Sequence, residues 1–186
     1  YRIYNNYYIR AYPNSSLTIK RSIIEYAGYS WGHQGSNSGL WIATTDVHIR
    51  DTVFRYCWSG IAIVDCVGHD NCSMRHHDHC CCGILHNVTF TDCWYGIIIS
   101  SSSGLSISNS SIVDCFYGVY IFNSSGVDLC QIRLDDCLYG IRILESSAIE
   151  LKEIEADDCV YGVYVGDSFD VSVRCSTINY GFYGLV

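Results

Sequence analysis

The densest chemistry in the chain lies between Cys66 and Cys82. The stretch Gly68-His69-Asp70-Asn71-Cys72-Ser73-Met74-Arg75-His76-His77-Asp78-His79-Cys80-Cys81-Cys82, taken with Cys66, holds five cysteines and four histidines. Two chemistries fit these residue types. In an oxidising compartment Cys66, Cys72, Cys80, Cys81 and Cys82 are candidates for disulfides that staple a long loop and limit its unfolded-state freedom. Five is odd, so one of them pairs elsewhere or stays free. Alternatively His76, His77, His79 and a thiolate could hold Zn²⁺ or copper, since imidazole and thiolate suit both ions. The spacing matches no named zinc motif, and Cys-x-x-Cys-His haem attachment is absent.

Compartment decides between these readings. Asn-x-Ser/Thr occurs at Asn14, Asn71, Asn87, Asn109 and Asn123, five of the nine asparagines. These are candidate N-glycosylation sites and point to an extracellular or cell-surface protein. The net charge is −8, with the acidic excess concentrated between Val127 and Asp170. That balance argues against nucleic acid, whose phosphates need a basic surface. No apolar run approaches the roughly 20 residues of a membrane span. No signal-peptide pattern stands behind Tyr1, so a mature product or part of a longer chain is expected.

The elements that must carry the loop are written as a repeat. Cys93-Trp94-Tyr95-Gly96, Cys115-Phe116-Tyr117-Gly118, Cys137-Leu138-Tyr139-Gly140 and Cys159-Val160-Tyr161-Gly162 step by 22 residues, and Gly181-Phe182-Tyr183-Gly184 keeps the step. A fixed period of this size marks a solenoid, in which each coil buries its apolar face only against its neighbours. With a coil numbered from Val88 to Asn109, apolar residues recur at positions 3, 10, 12, 18 and 20. The pairs at i and i+2 place one face of a strand inward. The reading is all-β: a single domain over 1–186, with about eight coils and three short strands per coil. Loop insertions fall near 28–38 and 67–82. Both ends stop in mid-coil, so further segments of the same protein or protein neighbours are expected to dock there.

Stacking turns repeated residues into ladders. Cys57, Cys93, Cys115, Cys137 and Cys159 read as buried thiols, because stacked side chains point alongside rather than at each other. Asp92, Asp114, Asp136 and Asp158 read as turn residues, with Ca²⁺ between coils as the alternative. Beyond possible Ca²⁺ or Zn²⁺, no cofactor is expected. Tyr95, Tyr117, Tyr139, Tyr161 and Tyr183 are either a corner packing stack or an outer platform for sugar rings. Trp41, Tyr120, Arg142 and Tyr164, at position 11, point outward and are candidates for a contact surface.

The pattern Asp92-Cys93-Trp94-Tyr95-Gly96-Ile97-Ile98-Ile99 and its successors resembles the right-handed parallel β-helix repeats of the pectate-lyase-like superfamily. The nearest likeness is to repeat regions of large extracellular surface proteins. The resemblance implies a right-handed parallel β-helix. It implies less about activity, since such repeats occur in polysaccharide lyases and hydrolases, phage tailspikes and surface proteins. Gly68-His69-Asp70 only half matches the Gly-His-Gly segment of the hydrolases, and Arg133, Arg142 and Arg174 are scattered over coils. The expectation is a non-catalytic extracellular structural or adhesion module of a larger glycosylated surface or filament protein. A polysaccharide-binding or polysaccharide-cleaving β-helix and a metal-binding accessory protein are the alternatives.

Overall fold

The computed structural model describes residues 8–28, 39–44, 46–67, 84–179 and 181–186. Eighteen strands follow one another in them: β1 (Ile9–Ala11), β2 (Leu17–Lys20), β3 (Ile23–Glu25), β4 (Leu40–Ile42), β5 (Val47–Arg55), β6 (Ser59–Val64), β7 (Leu85–Thr91), β8 (Tyr95–Ser100), β9 (Ser103–Val113), β10 (Tyr117–Phe122), β11 (Ser125–Asp135), β12 (Tyr139–Leu144), β13 (Ser147–Lys152), β14 (Glu155–Asp157), β15 (Tyr161–Gly166), β16 (Phe169–Arg174), β17 (Thr177–Asn179) and β18 (Tyr183–Leu185). Among the described residues there is no helix, hence none long and apolar enough to cross a membrane.

The strands stack into two long parallel sheets. The first runs β1-β4-β6-β8-β10-β12-β15-β18. The second runs β16-β13-β11-β9-β7-β5-β2, with β3 on β5, β14 on β11 and β17 on β14. The 22-residue step is the register itself: Ile97 faces Val119, Val119 faces Ile141, and Ile141 faces Val163. Where the step is broken, the phase survives, since Leu40 faces Ile61 and Ile61 faces Ile97.

Each coil turns at corners where one residue takes the left-handed conformation. At the first it is Asp92, Asp114, Asp136 or Asp158 (φ 50–54°); at the second Ser101, Asn123, Glu145 or Asp167; at the third Asn87, Asn109, Gln131 or Glu153. Asp and Asn tolerate this region better than most L-residues. The aspartate ladder therefore serves through its backbone as a corner residue, and its side chains are exposed. The repeated Gly has another reason. A Cβ on Gly118 would lie 2.5 Å from the carbonyl oxygen of Gly140 and 2.5 Å from Leu134 Cδ2. The glycines allow close approach of rungs, and the positive φ belongs to the aspartates.

The residue after the second corner points inward and ties it. Ser124 Oγ donates to Phe122 O (2.8 Å) and accepts from the N–H of Ser102 (3.2 Å). Ser146 repeats this with the same spacing, and Ser102 does so with Cys66 N–H as its donor, 36 residues away across the insertion. The cysteine ladder imitates it weakly, Cys115 Sγ approaching Val113 O at 3.4 Å. All five ladder cysteines are buried free thiols. The rest of the interior is aliphatic, with Phe54 stacked on Phe90 at 5.2 Å.

Candidate interaction face

The outer side of the first sheet is aromatic because Tyr stands just before the buried glycine in β8, β10, β12 and β15 and position 11 points outward. Tyr95, Tyr117, Tyr139, Tyr161 and Tyr183 stack in sequence with centroids 4.8, 5.1, 4.6 and 4.9 Å apart and planes within 11° of parallel. The first four are half-buried and Tyr183 is exposed. This spacing is the rung spacing of a sheet. Each inner ring therefore spends both faces on its neighbours and presents only its edge to solvent. That geometry differs from the sugar platform expected as one alternative, which needs free faces.

Arg142 lies among these rings. Its Cζ is 5.6, 5.8, 5.1 and 5.5 Å from the centroids of Tyr117, Tyr120, Tyr139 and Tyr164. Its Nη1 donates to Tyr117 Oη at 3.1 Å, while its Nε is buried without a hydrogen-bond partner. Tyr164 stands edge-on to Tyr139 and Tyr161, and Tyr120 tilts against Tyr95 and Tyr117. Burial pushes the phenols of Tyr95 and Tyr120 above their ordinary range; Tyr117 adds to this at Tyr95, and Arg142 opposes it at Tyr120. At the adjoining corner Trp58, Trp94 and Phe116 form a second stack, at 5.2 and 4.4 Å.

Two acids stand together on the other sheet. Asp128 and Glu150 face each other across β11 and β13 in the second sheet. Burial, and then the charge of Glu150, holds the Asp128 carboxyl above the usual carboxylate range. Among the described residues no group of three or more His, Cys, Asp or Glu side chains is placed to hold a metal ion.

The candidate residues read from the sequence are dispersed. Asn14, Asn87, Asn109 and Asn123 are exposed, and all four have positive φ, from 47 to 64°. The corner explains part of the sequon count. Asn suits the left-handed position, which accounts for the asparagine of these sequons; their hydroxyl residues, Ser111 and Ser125, come one place after the tying serines Ser110 and Ser124. Asn71, Cys72, Cys80, Cys81, Cys82, His76, His77 and His79 lie outside the described residues.

Cys66 departs from the expectation of a staple. It is a buried free thiol, because it occupies the inward slot that Ser102 fills one coil later. Its N–H donates to Ser102 Oγ, and its Sγ sits 3.5 Å from the carbonyls of Ile42 and Thr44. Burial raises this thiol to about 11. Cys130, which the ladder reading passed over, is disulfide-bonded. The available signal was its column: it pairs with Ser108 and Lys152, away from the cysteine ladder.

Residues 79–186 match the family described as the right-handed beta helix region. The chain belongs to the right-handed β-helix family. No curated protein matches this β-helix. Among solved structures it is similar to the enzymatically active domain of the bacteriophage CBA120 tailspike protein 2. The identity is 15% and the TM-score 0.40, over 92% of this chain and 34% of that one. It is also similar to QnrB1, a plasmid-mediated fluoroquinolone resistance protein, with 12% identity and a TM-score of 0.25, over 88% of this chain and 90% of that one. The β-helix thus spans about a third of the tailspike domain's length.

Proposed function

We propose that this β-helix is a non-catalytic module of an extracellular glycosylated protein, and that it contacts other proteins through the outer face of its first sheet. The observation that carries the reading is the tyrosine stack with Arg142 set among its rings. Tyr, Trp and Arg are the residues that dominate protein–protein hot spots. Edge-on rings suit the apolar and backbone groups of a protein partner better than sugar faces. Asp128 and Glu150, the acids held close together, belong to the second sheet and do not flank this face.

A photo-crosslinking residue placed at Tyr164, with Asp128 as the control position, tests this reading on the cell surface. Crosslinks to protein from position 164 and few from 128 are expected. Equal yields from both, or none, would overturn it. Release of new chain ends from a panel of polysaccharides would replace it with the cleaving alternative. Glycan mapping at Asn14, Asn71, Asn87, Asn109 and Asn123 tests the compartment. Metal analysis tests the loop, since an equimolar zinc or copper content that is lost when His76, His77 and His79 are replaced by Ala would establish a site there.

A further inference from the structure

We infer that Arg142 anchors a single carboxylate, from an Asp or Glu side chain of a protein docked on the first sheet; this rests on the protein-contact reading above. The other cations that form ion pairs within the described chain have acids beside them: Arg55 with Glu25, Lys152 with Glu153 and Arg174 with Glu150. Arg10, Lys20, Arg21, Arg50, Arg133 and Arg142 are in none of the ion pairs among the described residues, and of these Arg142 alone is half-buried, in a chain of net charge −8. Its column neighbours on β10 and β15 are Tyr120 and Tyr164, which offer π faces and hydroxyls but no counter-charge. Glu145, at the next corner, is exposed and acts on Tyr120 without pairing with Arg142. The cation has no counter-charge paired with it in a half-buried setting of aromatic rings.

The site is also held in place beforehand. Four rings surround the guanidinium, and Tyr117 Oη fixes Nη1. A guanidinium restrained in this way loses less freedom when it takes a carboxylate bidentately. Tyr117 Oη accepts from Arg142 and keeps its own proton to donate. A carboxylate can therefore meet a charged fork and a phenol together, in surroundings of lowered dielectric that strengthen both contacts. An acidic sugar could supply the same charge. The tyrosine ladder, however, has its ring faces occupied, and Tyr120 and Tyr164 turn theirs to Arg142, which leaves a sugar little to stack on.

The test follows the Arg142 Nε–H signal by NMR in the isotope-labelled full chain. The probes are acetyl-Gly-Glu-Gly-amide, its Gln counterpart and a short oligouronate. A saturable shift with the Glu peptide, on the order of millimolar, and none with the Gln peptide is expected. Arg142→Gln should weaken binding at least about tenfold, read from the other face resonances, and Arg142→Lys should restore only part of it. If Arg142→Gln fails to fold, the comparison of Glu and Gln peptides on the native chain still decides. Equal responses to the two peptides overturn the inference. So does a response to the oligouronate alone, which would put a glycan on this face. Protein crosslinks at position 164 with no Glu-specific shift overturn the carboxylate and leave the protein-contact reading standing. A Glu-specific shift with no protein crosslinks overturns both.

Discussion

A corner of this solenoid is closed by very few atoms, so single residues there carry large consequences. Ser124 is buried and makes two hydrogen bonds, one to the end of β10 before the corner and one to the rung before. Its replacement by Ala leaves the Phe122 carbonyl and the Ser102 N–H without that partner. Ser124→Ala should cost about 1–3 kcal/mol in urea unfolding. Gly118→Ala forces a methyl against a carbonyl and Leu134 at 2.5 Å; about 1–3 kcal/mol is expected by the same measurement. Much at this scale was legible in the sequence, because a ladder residue must appear once every 22 positions. The left-handed positions were less so. Tyr26, Tyr56 and Gln131 hold positive φ although their types do not favour it, since stacking on a neighbouring coil fixes the backbone there regardless of local preference. Tyr26 and Tyr56 stack with each other at 5.2 Å, a contact that links positions thirty residues apart and that no local pattern announces.

At the scale of strands, the two sheets divide the chain's chemistry. The interior-facing pattern of β8, β10, β12 and β15 was plain from the alternation of Ile and Val. The direction of the tyrosines was not, because a stack could fill a corner or line a surface with the same spacing. Cys66 shows the complementary limit: its residue type suggested loop chemistry, while its place in the serine column made it a core thiol. The ladder thiols Cys57, Cys93, Cys115, Cys137 and Cys159 are buried, whereas Cys175 is exposed. Hydrogen bonding to Cys115 and burial raise Cys93 to about 12. Brief alkylation of the folded chain, mapped by mass spectrometry, should label Cys175 and spare the five ladder cysteines until denaturant is added. On the second sheet, Asp128 has a carboxyl raised by burial and by Glu150. An acid raised in the folded state loses its proton more readily when unfolded. Its contribution is therefore present at low pH and lost as pH rises from the ordinary carboxylate range through the folded value. Asp128→Asn should raise Tm at pH 7, with the gain vanishing near about pH 3, as thermal scans at both pH values will show.

Over the whole molecule, stability is shared between neighbouring coils and falls where a coil has a neighbour on one side alone. Leu185 is exposed by 63%, while Ile97, Val119, Ile141 and Val163 in the same column are fully buried. Amide exchange should therefore be slower in β8, β10 and β12, which have a rung on each side, than in any rung covered on one side alone. The stacked rings have a further consequence, an optical one. Five phenols in near-parallel register about one sheet spacing apart are an array in which electronic excitation is shared rather than confined to one ring. Phe116 sits edge-on to Tyr117 at 4.9 Å and face-on to Trp94 at 4.4 Å, so the phenol array ends beside an indole able to collect its energy. Light absorbed by tyrosine in the last coils should emerge as fluorescence of Trp94, at the β8 end of the stack. The ratio of the two emissions then becomes a built-in gauge of whether the coils between them remain stacked.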